Sequence, residues 1–397
     1  MNEVVIVESV RTPIGKLGGS LGTVLVDFLA AKVIKEIIQR AQLDAHLVSE
    51  VIMGQAKQSA DSSNLARLAL LRADLPVNVP GYTIHRQCGS GLQAINTADM
   101  QIKLGLSDVI IAGGAESMST APYYLRNARY GYGAGNGLLL DPNIESQPYS
   151  QPIEEYGNLT MGATAENIAK QYKIDRLEQD EFALRSQELA KKAIDGGLFL
   201  KEIVPYQVQK RKEVFWFEKD EHPRQTNLEK LSALKPVFQN DGTVTAGNAS
   251  GRNDGASAIL MMNKIIAMEK GIEPKARIVA QASSGVSPEI MGIGPVSSTR
   301  KALDMSNLTM DDIGLIELNE AFSAQALAVI KELNLDMEKV NVNGGAIALG
   351  HPIGATGAIL TTKLLHEMER RGEKYGLVTL CIAGGQGITT IFENLQV

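Results

Sequence analysis

Only two cysteines, one tryptophan and five histidines occur in the 397 residues. So little sulfur and imidazole excludes a disulfide-braced framework. It also excludes a zinc scaffold, because Cys88 and Cys381 lie far apart in the chain and neither belongs to a CxxC pair. Long apolar runs are missing too, and no stretch approaches the roughly eighteen residues of a membrane span. The opening Met1-Asn2-Glu3-Val4-Val5-Ile6-Val7-Glu8 sets acids around a short apolar run. It reads as a strand and lacks the basic start of a signal peptide, so a cytoplasmic protein with reduced thiols is expected. An excess of positive charge is also absent: 39 Lys and Arg stand against 45 Asp and Glu, for a net charge of -6. Such a surface gives no reason to expect nucleic acid as a partner, and any anionic ligand must be held by local groups.

Glycine is abundant, with 38 residues, and 44% hydrophobic against 21% charged content belongs to a globular chain with a large core. In the first hundred residues short apolar strands (4–7, 48–53) alternate with amphipathic helices (26–38, 64–71). That order predicts α/β layering around a largely parallel sheet. The texture changes near residue 120, where a Tyr-, Gly- and Pro-rich passage precedes polar helices over 164–172 and 177–194. The lone Trp216 lies here in the apolar patch Val214-Phe215-Trp216-Phe217. The predicted division is a first core half over 1–119, an inserted loop domain over 120–244, a return to the first half over 245–271, and a second half over 272–397.

A weak internal repeat agrees with that division. Ile111-Ala112-Gly113-Gly114 ends one apolar strand and Ile382-Ala383-Gly384-Gly385 ends another. Each strand follows a helix that leaves a Gly-rich turn, Cys88-Gly89-Ser90-Gly91 in one case and His351-Pro352-Ile353-Gly354 in the other.

Four segments carry residues capable of chemistry. Cys88 precedes a helix, where the macrodipole and free backbone N–H groups are expected to lower its pKa; a small buried hydrophobe is the plainer reading. His351 lies among the glycines of 341–357 and can take a thiol proton near neutral pH, or simply cap a helix. Cys381 ends a strand ahead of Ala383-Gly384-Gly385-Gln386-Gly387, a turn suited to presenting backbone amides, or is a core cysteine. In Asn319-Glu320-Ala321-Phe322 a strand delivers an amide and a carboxylate at its C-terminal end, although Asn319 would also serve as a helix N-cap. The run Lys210-Arg211-Lys212 reads as a solvated face.

With these segments in view the sequence resembles a thiolase. The likeness extends through Ser9-Val10-Arg11-Thr12-Pro13, the Cys88 motif, Ala246-Gly247-Asn248-Ala249-Ser250-Gly251, Asn319-Glu320-Ala321-Phe322, the His351 segment and the Cys381 turn. It implies a duplicated five-layer α-β-α-β-α core with an inserted, coenzyme A-binding loop domain, assembled as a homodimer or homotetramer. It also implies acetyl-CoA C-acetyltransferase activity on acyl-CoA substrates, with a 3-ketoacyl-CoA thiolase of broader chain length as the alternative. Coenzyme A is then substrate and product, and no metal or other cofactor is expected. On the same resemblance Cys88 is the acyl acceptor, His351 its activator and Cys381 the group exchanging the α-proton. Asn319 holds an enolate-stabilising water, and the amides of Cys88 and Ala383 form an oxyanion hole. Ser250, Arg224, Met161, Ala246 and Phe322 are the expected coenzyme A and substrate contacts.

Three departures stand out: Thr160 occupies a position where short-chain relatives carry histidine, Ala383 replaces a common glycine, and Arg86-Gln87 resembles degradative members while the 341–357 segment resembles the acetoacetyl-CoA-forming branch. A ketoacyl synthase would pair its cysteine with two histidines, where this chain has Cys381. A dinucleotide oxidoreductase would need GxGxxG after the first strand, where Ser9-Val10-Arg11 stands instead. An acyl-CoA-binding protein without activity would need none of the four reactive groups.

Overall fold

The computed structural model describes residues 1–210 and 213–397. The Lys210-Arg211-Lys212 run therefore falls partly outside the described residues. Nine principal strands are β1 (Val4–Arg11), β2 (Glu50–Gly54), β3 (Gly81–Ile84), β4 (Val109–Ser117), β5 (Asn253–Asn263), β6 (Ala276–Gly285), β7 (Leu315–Leu318), β8 (Tyr375–Ile382) and β9 (Gln386–Asn394). Their order is β7-β8-β9-β6-β1-β5-β4-β2-β3.

The sheet is mixed, which corrects the expectation of a largely parallel one. The long pairings β1/β5, β5/β4, β6/β9 and β9/β8 are antiparallel, and only β4/β2, β2/β3 and β8/β7 are parallel. Parallel neighbours need a helical crossover, and the early βα units supply it. The tight turn between β8 and β9 makes an antiparallel hairpin instead.

The duplication is plain in this order. Outward from the centre, the first half runs β1, β5, β4, β2, β3 and the second runs β6, β9, β8, β7, followed by a bridge from Ile316 to Val340. Each series has two antiparallel steps followed by parallel ones. The repeated tetrapeptide is not conformationally equivalent, however. Gly113 and Gly114 sit inside β4, where Ser257 and Gly354 carbonyls approach within 2.1 and 2.2 Å of where a Cβ would lie. Gly384 and Gly385 instead form a turn at φ 83° and 82°.

Alternation along the strands builds the layers. Val5 and Val7 of β1 enter one apolar cluster with the helix Val26–Arg40, while Val4 and Ile6 enter another. That second, central cluster holds the helices Ser90–Lys103 and Thr356–Arg371 between the two half-sheets. A third cluster covers the far face of the second half with the helices Gly294–Ser306 and Ser323–Leu333. The result is α-β-α-β-α. The central helices meet at glycines: a Cβ on Gly91 would stand 2.9 Å from the Ala358 nitrogen, and one on Gly357 would stand 2.4 Å from that of Leu92. Backbone pairing between the half-sheets is limited to Ile6 with Ala276.

Between β4 and β5 the chain leaves the core to form the helices Met161–Tyr172 and Arg176–Asp195 and two short hairpins. Arg11 fastens this region to β1. Its fully buried guanidinium meets Glu202 at 2.7 Å and Asp220 at 2.8 Å. Trp216 belongs to the hairpin strand Glu213–Phe217 and is exposed. Among the described residues no helix is long and apolar enough to cross a membrane.

Candidate active site

A turn between β3 and the central helix Ser90–Lys103 presents Cys88. Gln87 adopts φ 45°, a conformation that a side-chain-bearing residue keeps only where its surroundings enforce it. The enforcement comes from the Gly89 amide donating to the Arg86 carbonyl at 2.9 Å. The Ser90 hydroxyl also donates to the Gln87 carbonyl at 2.6 Å and accepts from the Arg86 amide at 2.8 Å. Gly89 admits Ile382 of the other half, whose Cδ1 lies 2.6 Å from where a Cβ would stand.

His351 precedes the second central helix, whose N-cap is Ala355, so the histidine is not a helix cap. Its amide donates to Asn253 Oδ1 at 2.9 Å, and Glu116 Oε2 accepts from the amides of Gly354 (2.9 Å) and Ala56 (3.0 Å). These buried acceptors hold the Gly-rich segment in place. Nδ1 of His351 lies 2.6 Å from the Thr356 hydroxyl, and that hydroxyl donates its single proton to the Pro352 carbonyl at 2.9 Å. The hydrogen-bond network therefore assigns the proton to Nδ1 and leaves Nε2 as the lone-pair nitrogen.

Cys381 is the penultimate residue of β8, fully buried in an apolar cluster with Ala249, Met291, Ala321 and Phe322. The positive-φ positions of the following turn fall on Gly384 and Gly385, which is why alanine fits at 383.

Cys88, His351, Cys381 and Ala383 line one cavity, together with Met161, Gly162, Ser250 and Phe322. Met161 and Gly162 open the helix Met161–Tyr172, and Thr160 is its N-cap, accepting from the Ala163 amide at 3.3 Å. Three expected residues lie elsewhere. Ala246 is exposed and outside the cavity wall, where Ala249 and Ser250 of the same motif take its place, because that short segment turns Ala246 outward. Arg224 lines a wide neighbouring cleft with Lys16 and His222, and Arg252 borders both spaces. Asn319 is fully buried behind the lining. It is not a helix N-cap, since Phe322 holds that position, and neither amide atom has a protein partner.

Electrostatics overturns one expectation. Burial pushes the Cys88 thiol up to about 11, against the Ala383 amide and the Lys57 cation that pull it down. Desolvation outweighs these, because taking a thiolate out of water is costly. Burial and the neighbouring Cys88 raise Cys381 further. Burial draws His351 down to about 4, so its imidazole is neutral at pH 7. The site thus starts from two thiols and a neutral base. Sequence reasoning missed Thr356, Glu116, Lys57, Phe238 and Met291, because each acts through a contact between segments distant in the chain.

The thiolase N-terminal domain profile matches residues 4–265 and the thiolase C-terminal domain profile matches 272–394. The chain belongs to the thiolase family. It is 50% identical over 390 residues to an acetyl-CoA acetyltransferase of Pseudomonas aeruginosa, covering 98% of each chain. It is also 50% identical, over the whole of both chains, to an acetyl-CoA acetyltransferase of Escherichia coli. The crystal structure of the Bacillus anthracis acetyl-CoA acetyltransferase superposes with a TM-score of 0.97 at 49% identity, covering 100% of this chain and 99% of that one.

Proposed function

We propose that the protein is an acetyl-CoA C-acetyltransferase, joining two acetyl-CoA into acetoacetyl-CoA and coenzyme A and running the reverse cleavage. The observation that carries this is the convergence of Cys88, His351, Cys381 and Ala383 on one cavity. Nε2 of His351 takes the Cys88 proton as sulfur attacks the thioester carbonyl, so no standing thiolate is needed. The amides of Cys88 and Ala383 stabilise the oxyanion, and Cys381 gives its proton to the departing coenzyme A sulfur, leaving a thiolate while His351 keeps the Cys88 proton. The second acetyl-CoA loses an α-proton to that thiolate, its enolate attacks the acyl-Cys88 thioester, and the released Cys88 sulfur recovers its proton from His351. A thiolate in an apolar pocket is a strong base, which suits a weakly acidic C–H. In cleavage the same burial keeps Cys381 protonated, ready to quench the enolate. Asn319 supports this role, since a buried amide lacking protein partners is suited to hold an ordered water.

Coenzyme A is substrate and product, with no resident metal or other cofactor. The insertion provides its binding surface: Met161 and Ser250 face the pantetheine arm and Arg224 the nucleotide phosphates. Assembly is as a homodimer or homotetramer in the cytoplasm, and the exposed Leu138, Leu139 and Tyr130 around the hairpin Tyr124–Leu125/Leu139–Leu140 support an interface between copies.

Intact-mass analysis after incubation with acetyl-CoA tests the reaction. Cys88→Ala should abolish acetyl labelling, whereas Cys381→Ala should retain it and lose condensation. Labelling that persists in Cys88→Ala would defeat the assignment.

A further inference from the structure

The buried cations of this protein face carboxylates: Arg11 meets Glu202 and Asp220, and Lys363 meets Glu317 at 2.8 Å. Lys57 differs. It is 8% exposed, yet among the described residues no carboxylate oxygen comes within 4.0 Å of its ammonium. Nζ donates to the Pro142 carbonyl at 3.2 Å and to the Ser146 hydroxyl, which uses two of its three N–H bonds. Lys57 also lines the cavity that holds Cys88, on a wall with Gln87, Asn143 and Ser146, and the Asn143 Oδ1 there is unpaired. Burial disfavours that ammonium, and Glu116 and Asp141 act on it only from beyond contact distance, so its place in a substrate cavity suits an anion brought by the ligand. The pantetheine arm of coenzyme A is neutral, and its phosphates suit the neighbouring cleft, where Lys16, Arg224 and Arg252 stand with Glu221.

We propose that Lys57 receives the terminal carboxylate of acyl chains carried on Cys88, so that the protein also acts on 3-oxo-ω-carboxyacyl-CoA thioesters. This rests on the acyl-transfer reading above. In the cleavage direction the Cys88 sulfur attacks the C3 ketone, and the C2–C3 bond breaks. The acetyl-CoA enolate takes the Cys381 proton, and the ω-carboxyacyl group remains on Cys88 until coenzyme A removes it.

The test compares acylation of Cys88 by succinyl-, glutaryl- and adipyl-CoA with acylation by the equal-length butyryl-, pentanoyl- and hexanoyl-CoA, followed by intact mass and initial rate. In the wild type at least one carboxylate donor should exceed its aliphatic partner. Lys57→Met should lower that carboxylate-to-aliphatic ratio about 10- to 100-fold, the weight of a charge-assisted hydrogen bond, and Lys57→Arg should keep most of it. Wild-type enzyme that cleaves acetoacetyl-CoA but prefers the aliphatic donor at every length overturns the proposal. So does a Lys57→Met enzyme with lower thermal stability and an unchanged ratio, which would make Lys57 only a tether for the segment around Ser146. Loss of acetoacetyl-CoA cleavage in the wild type itself would remove the acyl-transfer reading, and this proposal with it.

Discussion

The hydroxyl of Thr356 governs which nitrogen of His351 is basic. Removing it in Thr356→Val keeps the shape but releases the tautomer, and kcat for acetoacetyl-CoA cleavage should fall about 10- to 100-fold with little change in KM. Thr356→Ser should restore most of the rate, whereas a valine enzyme with wild-type kcat would show that the contact is idle. The raised Cys88 pKa gives a second expectation. Iodoacetamide alkylation of the free enzyme should keep accelerating with pH beyond 9 toward a midpoint near 11. A plateau already reached at pH 8 would mean a preformed thiolate. Cys88, His351 and Cys381 were legible because glycine-rich turns flag themselves in sequence. Lys57 and Thr356 were not, since nothing local distinguishes a lysine near a counterion from one without, or a helical threonine that bonds an imidazole from one facing water.

At the level of elements, the seam between core and insertion depends on Arg11. Arg11→Met should destabilise the protein by about 3–5 kcal/mol, because Asp220 and Glu202 would remain buried without their cation. Urea unfolding measures it, and a shift under 1 kcal/mol would mean that water reaches the acids. Gly357→Ala should cost about 1–3 kcal/mol, since the added Cβ would meet the Leu92 backbone across the central helices. The helices themselves were readable from apolar spacing to within a few residues: the one predicted over 26–38 spans Val26–Arg40. Strand direction was not readable. β8 and β9 are joined by a turn whose φ angles make a hairpin, and an alternating apolar pattern is the same for either direction.

Over the whole molecule, pH acts in two opposed directions: buried carboxylates raised by desolvation, Glu317 to about 7, favour the folded chain as pH falls, and two buried histidines disfavour it. His351 and His222 are both held at about 4, below the 6.5 of an exposed imidazole, by burial in each case and for His222 also by Arg224 and Lys16. Between those values the unfolded chain binds protons that the folded one refuses. Their contribution to stability is therefore intact above pH 6.5 and lost as pH falls toward 4, by roughly 2–3 kcal/mol for each histidine. His222→Gln should therefore lose less stability than the wild type between pH 7 and 4.5, read from urea midpoints; the same change in both would show that His222 plays no part in the acid response.

The near absence of backbone pairing between the half-sheets has its own consequence. Each half completes its own ladder of strands, and what joins them is side-chain packing at glycines together with buried hydrogen bonds such as those of Glu116 and Asn253. A polypeptide severed within 264–275 should therefore yield two pieces that reassociate when co-expressed. The nucleophile on one and the imidazole and second thiol on the other would regain turnover only on reunion, making catalysis a direct gauge of their docking.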